Sequence, residues 1–285
     1  LEGVLSLREL ISAPRYKKIY EIMHKKVVSV DVEQYQEEVA KTISRYSLLA
    51  VPVVNKENRL LGIVTVDDAM EIMEEEDTED IHKMAGITPE EDIELSKTIW
   101  GASKKRILWL VICLIGDMFA GRVIYGFSHV LESMVALAFF IPVLMATGGN
   151  IGTQSLALSV RSMATEKLNR SNIIHYTIGE TLAGLQIGVI CGLIVSLISY
   201  FWQNNIQLSM AVGFSMCFSL MIASLIGVLV PLTFRILNID PAVASGPFIT
   251  TIVDISTLVI YFSLSIYFID ILSPDVVSIG KEVLT

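Results

Sequence analysis

The sequence has few charged side chains after residue 106, and it has no excess of basic residues. Residues 1–106 contain 21 acidic and 15 basic side chains, whereas residues 107–285 contain only 9 and 6. The net charge is -9. Because binding to nucleic acid requires a basic surface that neutralises phosphates, this charge argues against nucleic acid as a partner. The uneven charge predicts a water-facing first third and a membrane-facing remainder.

Cysteines are scarce and the usual enzyme motifs are missing. The three cysteines, Cys113, Cys191 and Cys217, lack metal-binding or disulfide spacing and are expected to be buried thiols. The four histidines form no His-Glu-x-x-His pair, which an intramembrane metalloprotease requires. There is no Gly-x-x-x-x-Gly-Lys-Ser/Thr loop for ATP hydrolysis. We therefore expect a protein that is not an enzyme. The lack of an initiator Met and of a signal peptide predicts a fragment.

Long apolar stretches are abundant instead, with a mean hydropathy of +0.60. About 20 helical residues cross a hydrocarbon core, and five stretches are long enough: 107–127, 130–158, 173–202, 208–233 and 242–270. Basic residues adjoin the start of the first stretch, the link between the second and third, and the end of the fourth. They predict a cytoplasmic N-terminus and an extracellular C-terminus; these residues are Lys104, Lys105, Arg106, Arg161, Lys167, Arg170 and Arg235.

The second and fifth stretches contain residues that disfavour a plain helix. The second has Pro142 and the glycine-rich polar segment 148–154, and the fifth has Asp240, Gly246 and Pro247. An interrupted transmembrane helix exposes carbonyl oxygens only where they line a cavity, so the two breaks predict an ion or substrate path. The alternative is that the prolines only kink packed helices.

Asp254 is 14 residues past Asp240 and is expected near mid-membrane. An ionised carboxylate there costs several kcal/mol unless a cation or water lies beside it. An ion pair with Arg122 and a protonated carboxyl are the alternatives. Mg²⁺ gives up its waters reluctantly, so one carboxylate flanked by amide and hydroxyl groups suits a mostly hydrated ion. The flanking residues are Asn150, Gln154, Thr250 and Thr251.

Three other charged residues lie in the stretches. Glu180 is interpreted as part of a helix interface or a vestibule, whereas Asp117 and Arg122 could serve helix packing, a vestibule or the conduction path. Glu180 precedes Gly184, Gly188 and Gly192 at a spacing of four, which is typical of a helix-packing face. Asp117 and Arg122 are five residues apart, so they do not share one helical face well.

The first third contains an internal repeat. Residues 3–11 match residues 62–70 in residue class, 59 positions apart. Between them the pattern predicts strand, helix, strand, strand and helix, a small α/β unit. The predicted elements are 27–31, 36–46, 50–54 and 60–65, with a turn at 55–58.

This unit resembles a CBS domain, which occurs as tandem copies. The second copy is nearly complete, and the first survives only as its last strand and helix start. In CBS domains a Thr and an Asp at this position can hold a nucleotide ribose, and Thr65 and Asp68 match them. That signal is weak, because the shared cleft is incomplete without the first copy.

The helix that follows is strongly acidic. Nine of the fourteen residues 67–80 are acidic and none is basic. Such self-repulsion destabilises a helix unless cations screen it. A solvated acidic face is the usual interpretation. Because the run leads to the first apolar stretch, weak divalent sites in series would instead suit millimolar sensing.

Taken together, the CBS unit, Glu79–Met84, Pro142 with the segment 148–154, and Asp240 followed by Asp254 resemble the MgtE family of magnesium channels, from residue 1 to about residue 270. The resemblance implies an α-helical membrane protein with five transmembrane helices, preceded by a small α/β CBS unit and an acidic connecting helix. The implied domains are a first CBS remnant (1–22), a second CBS motif (23–80), a connecting or plug helix (81–104), the transmembrane pore domain (105–272) and a tail (273–285).

The resemblance also implies a homodimer in the cell membrane that conducts Mg²⁺ down its electrochemical gradient. The second and fifth spans would line the pore, with Asp254 as the central carboxylate and a backbone oxygen near Thr250. The other implied pore residues are Asn150, Gln154, Gly246 and Asp240. Members close when intracellular Mg²⁺ bridges acidic residues, which match Asp68, Glu71, Glu76, Glu79 and Asp80. Mg²⁺ is thus both cargo and regulator, with Asp254, Glu76, Glu79 and Asp80 as its ligands, and ATP is a further ligand of the CBS module in a longer protein.

Gly246 departs from the family pattern, since some members have Asn there. Ion discrimination would then rest more on carbonyl groups and trapped water, and the incomplete cytoplasmic part predicts weakened closure. Other possibilities are a CBS-regulated transporter of Mn²⁺, Co²⁺ or an anion, and a membrane-tethered sensor. An anion path would require basic groups or helix N-termini at the pore, and a sensor would not explain the paired breaks.

Overall fold

The computed structural model describes residues 1–87, 99–165, 168 and 172–272. It divides into two units, Leu1–Asp80 and Ile81–Thr285. Three groups of residues named above lie outside the described part: residues 88–98 of the connecting helix, the cytoplasmic cations Lys167 and Arg170, and the tail 273–285. The same holds for the side chain of Lys105.

The first unit contains a three-stranded sheet in the order β1-β2-β3. Strand β1 pairs parallel with β2, with Val30 opposite Val53, and β2 pairs antiparallel with β3, with Val51 opposite Val64. The predicted order of strands and helices is confirmed. The elements are α1 (Leu7–Ser12), α2 (Ile19–Ile22), β1 (Val30–Asp31), α3 (Gln36–Tyr46), β2 (Ala50–Val54), β3 (Leu60–Thr65) and α4 (Val66–Met84).

The core of the first unit is small and apolar. It consists of six buried residues from β1, α3, β2 and α4, namely Val30, Val39, Ala40, Ile43, Val51 and Ala69. Alternation in the strands and the 3.6-residue period of α3 turn these side chains to one side. Strand β1 is shorter than the segment 27–31 predicted for it.

The internal repeat is visible as two equivalent helix starts. At the start of α1 the Ser6 hydroxyl accepts from the Glu9 N–H at 3.2 Å, and the Glu9 carboxylate accepts from the Ser6 N–H at 3.0 Å. At the start of α4 the Asp68 carboxylate accepts from the Thr65 N–H at 2.8 Å, and the Asp68 N–H donates to the Thr65 hydroxyl at 3.4 Å. A hydroxyl residue followed three positions later by an acid forms this reciprocal cap.

The second unit contains five helices that are long and apolar enough to cross a membrane, as predicted: Arg106–Gly126, Val135–Ala164, Ile173–Gln203, Ile206–Ile236 and Gly246–Ile269. The helices are α5 (Ile99–Gly126), α6 (Ser128–Ser133), α7 (Ile141–Ala164), α8 (Ile173–Gln203), α9 (Ile206–Ile236) and α10 (Gly246–Leu272). Helix α9 packs against α7, α8 and α10, and α5 packs against α10.

Helices α8 and α9 touch through backbone, as the glycine spacing predicted. A Cβ on Gly188 would lie 2.6 Å from the Cys217 carbonyl oxygen, and one on Gly192 would lie 2.5 Å from that of Gly213. Real Cβ atoms do not approach this closely, so only glycine permits the contact. The cysteines are free thiols, but all three are half-buried rather than buried as expected.

The predicted break at residues 148–154 of the second stretch is wrong, because α7 runs without interruption through them. In the fifth stretch a 3₁₀ turn and the non-helical Ala244 precede the start of α10 at Gly246, so the backbone is irregular where the break was predicted. Pro142 and Pro247 lie in the first turns of their helices, where proline is tolerated because the missing N–H would have no helical partner. The irregular backbone comes earlier, as 3₁₀ turns at Val135–Phe140 and Pro241–Val243.

The predicted connecting helix, residues 81–104, is not a single helix. Helix α4 already contains its first residues and ends at Met84. Gly86 then has a φ of 69°, its N–H donates to the Lys83 carbonyl, and the N–H of Ile87 donates to the His82 carbonyl, each at 2.9 Å. This left-handed glycine cap stops the helix. Residues 99–104 belong to α5.

Candidate functional site

Helices α7 and α10, the second and fifth spans, pack against each other through glycines of α7. A Cβ on Gly149 would lie 3.2 Å from Thr250 Cγ2, and one on Gly152 would lie 3.0 Å from Val253 Cγ2. Near the ends of this contact, a Cβ on Gly148 would lie 3.1 Å from the Thr257 hydroxyl oxygen, and one on Gly246 would lie 3.5 Å from Thr153 Cγ2. Residue numbers therefore rise along one helix as they fall along the other, and the two helices are antiparallel.

Asp254 is the ninth residue of α10 and lies about 12 Å from the start of the helix at the usual rise. Its side chain is half-buried. Across the described residues it has neither a hydrogen bond nor an ion pair, and its charged neighbour is another carboxylate, Asp117 of α5. Arg122, the cation considered as its partner, lies over the Tyr125 ring at 5.2 Å instead. Within the described residues, Asp254 is therefore a membrane carboxylate without a protein cation beside it.

The amide side chains of Asn150 and Gln154 lie on one exposed face of α7, four residues apart. An amide exposed to hydrocarbon loses its hydrogen bonds, which costs roughly 2–7 kcal/mol. This face therefore needs water or another polar surface against it. Thr147 completes the face, and the antiparallel register places it level with Asp254. Thr147 was not among the predicted site residues, although its three-residue spacing to Asn150 was a usable signal.

The threonines beside Asp254 use their hydroxyl protons within α10. Thr250 and Thr251 both donate to the Pro247 carbonyl, at 2.9 and 3.0 Å. Because the helix is continuous here, the carbonyl oxygens of this turn lie in the helical hydrogen-bond ladder. A backbone oxygen near Thr250 that faces the ion therefore stays a prediction. Oxygen lone pairs of the two hydroxyl groups can still accept from water.

Asp240 and Gly246 lie at the start of α10, away from Asp254. Asp240 Oδ1 accepts from the Ala242 N–H at 2.9 Å and caps the 3₁₀ turn, while Oδ2 accepts from Lys83 Nζ at 2.6 Å. A Cβ on Gly246 would meet its nearest neighbour, the Met84 carbonyl oxygen, at 3.4 Å. This position therefore has room for a small side chain.

The acidic residues predicted to sense Mg²⁺ lie along α4. Glu76 is half-buried and accepts from Gln36 Nε2 at 3.0 Å, whereas Glu71 is exposed. Glu79 and Asp80 follow within about one turn. Over the described ranges, no three His, Cys, Asp or Glu residues are grouped so that they could hold a metal. The sensing site therefore stays a prediction.

The two residues predicted to touch a nucleotide are bonded to each other. The Thr65 hydroxyl donates to Asp68 Oδ2 at 2.6 Å, and the Thr65 N–H donates to the same oxygen. These bonds hold the pKa of Asp68 below its usual value. The pair thus serves as a helix cap, and its role toward a nucleotide stays a prediction.

Comparisons with known proteins agree with this architecture. Residues 141–264 match the family model of MgtE, described as a divalent cation transporter, and residues 19–75 match that of the CBS domain. Proteins named magnesium transporter MgtE from Bacillus subtilis and Thermus thermophilus are each 39% identical to the chain, over 94% and 93% of it. The chain spans 59% of the length of each.

A solved structure of the cytosolic domain of the Mg²⁺ channel MgtE in complex with ATP is 50% identical over 25% of this chain and 29% of that one, with a TM-score of 0.25. At that score the superposition adds nothing to the assignment.

The fold and the matched domains define a multi-pass membrane protein that combines a divalent cation transporter domain with a CBS domain. The transporter domain of the chain, residues 141–264, belongs to the MgtE family. Its relatives bear the names of transporters, which agrees with the expectation that it is not an enzyme.

Proposed function

We propose that this chain forms a Mg²⁺ pathway through which the ion crosses the cell membrane down its electrochemical gradient. The observation that supports it most is Asp254, a half-buried carboxylate in a membrane helix with no protein cation beside it in the described part of the chain. A charge in that position persists only when an ion or water solvates it. The names of the relatives favour Mg²⁺ over Mn²⁺, Co²⁺ or an anion.

The polar face of α7 supports a pathway that carries the ion with most of its water shell. Mg²⁺ requires near-octahedral oxygen ligands and sheds water slowly. Asp254 would supply charge, and the amides of Asn150 and Gln154 with the hydroxyls of Thr147 and Thr250 would hydrogen-bond the shell. A small number of carboxylates favours conduction, because many carboxylates would bind the ion tightly and trap it.

The same exposed face supports a homodimer. One copy leaves Asn150 and Gln154 exposed on a membrane helix, and a second copy facing it would enclose a polar path. The N-terminus would be cytoplasmic and the C-terminus extracellular, because Arg161 and Arg235 lie in the last turns of α7 and α9, on the side assigned to the cytoplasm.

Closure by intracellular Mg²⁺ is part of the proposal. Asp68, Glu71, Glu76, Glu79 and Asp80 would bind the ion along α4, where neutralising mutual repulsion would order the helix. In the longer protein, ATP bound to the CBS module would contact Thr65 and Asp68 at the start of α4.

The experiment is Mg²⁺ uptake into proteoliposomes under a fixed membrane potential. Replacing Asp254 with Ala should lower uptake about a hundredfold or more, because a cation at mid-membrane loses the charge that stabilises it by several kcal/mol. Glu132→Gln is the matched control, since Glu132 is an exposed acid in the short helix α6. Normal uptake by Asp254→Ala would refute the site, and uptake only of another ion would refute Mg²⁺ as the substrate.

A further inference from the structure

The last turn of α4 contacts the start of α10 through an ion pair. Lys83 Nζ lies 2.6 Å from Asp240 Oδ2, and the two side chains are 22% and 39% exposed. The other oxygen of Asp240 caps the Ala242 N–H. The carboxylate is therefore fixed in orientation, and the lysine ammonium occupies its outward oxygen.

Backbone packing holds the lysine in this position. Gly86, buried after the end of α4, would place a Cβ 3.4 Å from Pro247 Cγ and 3.6 Å from Trp109 Cβ, and its φ of 69° is one that other residues rarely adopt. Met84 packs against the core of the same unit. The turn that carries Lys83 thus rests directly on the first residues of α10, the helix that contains Asp254.

An ammonium group is chemically the nearest stand-in that a side chain offers for a hydrated cation. It has a unit charge and three N–H donors, and it binds a carboxylate oxygen at the distance at which a water of hydrated Mg²⁺ would also donate. The Lys83 ammonium and a hydrated divalent cation therefore cannot occupy Asp240 Oδ2 together.

We propose that Lys83 is a tethered competitor of the transported cation at Asp240. It occupies this carboxylate at the start of α10, which the proposed orientation places at the cytoplasmic end of the pathway, and a hydrated divalent cation must displace it to use Asp240. This inference rests on the proposed Mg²⁺ transport, and it adds a residue that sets the apparent affinity for Mg²⁺ at the cytoplasmic end.

Flux measurements on five proteins test the competition: the parent, two single variants, their double variant and a control. Lys83→Gln should lower about threefold to fivefold the Mg²⁺ concentration on the cytoplasmic side that gives half-maximal outward flux, the range expected for loss of a partly exposed ion pair. In the Asp240→Asn background the same change should have no effect, since the carboxylate for which both cations compete is gone. Lys104→Gln, at an exposed lysine of α5, is the matched control. An equal effect of Lys83→Gln with and without Asp240 would overturn the inference.

A second measurement does not depend on transport. Acetylation of Lys83 in the full chain, followed by mass spectrometry, should rise several-fold with Mg²⁺ relative to Na⁺ at equal ionic strength, because the ion displaces the amine from Asp240. In Asp240→Asn the labelling of Lys83 should no longer depend on Mg²⁺, with Lys104 as the internal reference. Labelling of Lys83 that ignores both Mg²⁺ and Asp240 would overturn the inference. If the parent chain transports nothing, the proposed function fails, and this labelling still decides the role of Lys83.

Discussion

The carboxylates Glu9 and Asp68 of the first unit and Asp254 of the second unit are satisfied in opposite ways. In the first unit, Glu9 and Asp68 accept from a hydroxyl and a backbone N–H three residues away and so close the starts of α1 and α4. In the second unit, Asp254 accepts nothing from the described residues and faces another carboxylate, Asp117. A capped carboxylate needs no outside partner, whereas an uncapped one inside a membrane does.

Helix contacts differ between the units as well. The first unit packs six apolar side chains between sheet and helices. The second brings backbones together at glycines, as at Gly188 and Gly192 on α8 and at Gly149 and Gly152 on α7. Lipid is as apolar as leucine, so membrane helices gain from close van der Waals contact rather than from burial. The carboxylates that remain unpaired are thus held in a rigid frame.

The largest expected effect is a loss of stability when the backbone contact between α8 and α9 is broken. Gly188→Leu forces a side chain to within 2.6 Å of the Cys217 carbonyl oxygen and should cost about 3 kcal/mol or abolish folding. Gly179→Leu is the control on the same helix, because a Cβ there meets nothing within 4 Å. Thermal unfolding in detergent, followed by gel filtration, measures both. Equal melting temperatures would show that the close contact does not stabilise the second unit.

A smaller effect separates transport from stability. Asn150→Leu removes an exposed amide and should reduce Mg²⁺ uptake about threefold to tenfold, the value of one hydrogen bond to the water shell. The melting temperature should not fall, because the side chain is exposed. Leu158→Ala, at another exposed position of α7, serves as control. Unchanged uptake in Asn150→Leu would remove α7 from the proposed path.

Substitutions among the acidic residues 67–80 of α4 test whether these carboxylates need an outside cation, as Asp254 does, or are satisfied within the chain, as Glu9 is. Neutralising Glu76, Glu79 and Asp80 together should raise several-fold the Mg²⁺ concentration that protects α4 from proteolysis, because fewer carboxylates attract the ion. Neutralising three other acids of the run is the matched control: Asp67, Glu74 and Glu75. A similar shift in both triple variants would indicate general screening rather than a site.

The smallest effect concerns the cap of α1. The hydrogen bond from His24, with those from Ser6, lowers the pKa of Glu9 from 4.5 to about 2. Since the folded pKa is below the unfolded one, the stabilisation is present above pH 4.5 and is lost as the pH falls toward 2. Hydrogen-exchange protection factors of α1 should therefore fall between pH 5 and pH 3 in the parent and change less in Glu9→Gln. Glu2→Gln should behave as the parent; a parent profile that is flat with pH would contradict the cap.

Regular elements were predictable because their signals are local. Runs rich in Val and Ile on both sides of the turn 55–58 predicted β2 and β3, and long apolar stretches predicted the five spans. The break in α7 was mispredicted because glycine next to polar residues resembles a helix stop, whereas in the folded chain Gly149 and Gly152 give α10 room to approach. The end of α4 had a usable local signal in Gly86, whose position allows a left-handed cap.

The site was predictable only in part. Asp254 stood out because a charge in an apolar stretch is costly wherever it occurs. The contact of Lys83 with Asp240 joins residues 157 positions apart, and no periodicity links them. The proximity of Asp117 to Asp254 could not be predicted either, since it depends on Gly116 of α5 packing on Thr251 of α10.

Anomalous scattering from Mn²⁺ in crystals of the protein tests the central claim most directly. If Asp254 is solvated by a hydrated divalent cation, an anomalous peak should appear about 4 to 5 Å from its carboxylate, one water away, and should disappear in Asp254→Asn. A carboxylate facing acyl chains, or paired with an arginine in the assembled protein with no ion near it, would contradict the account.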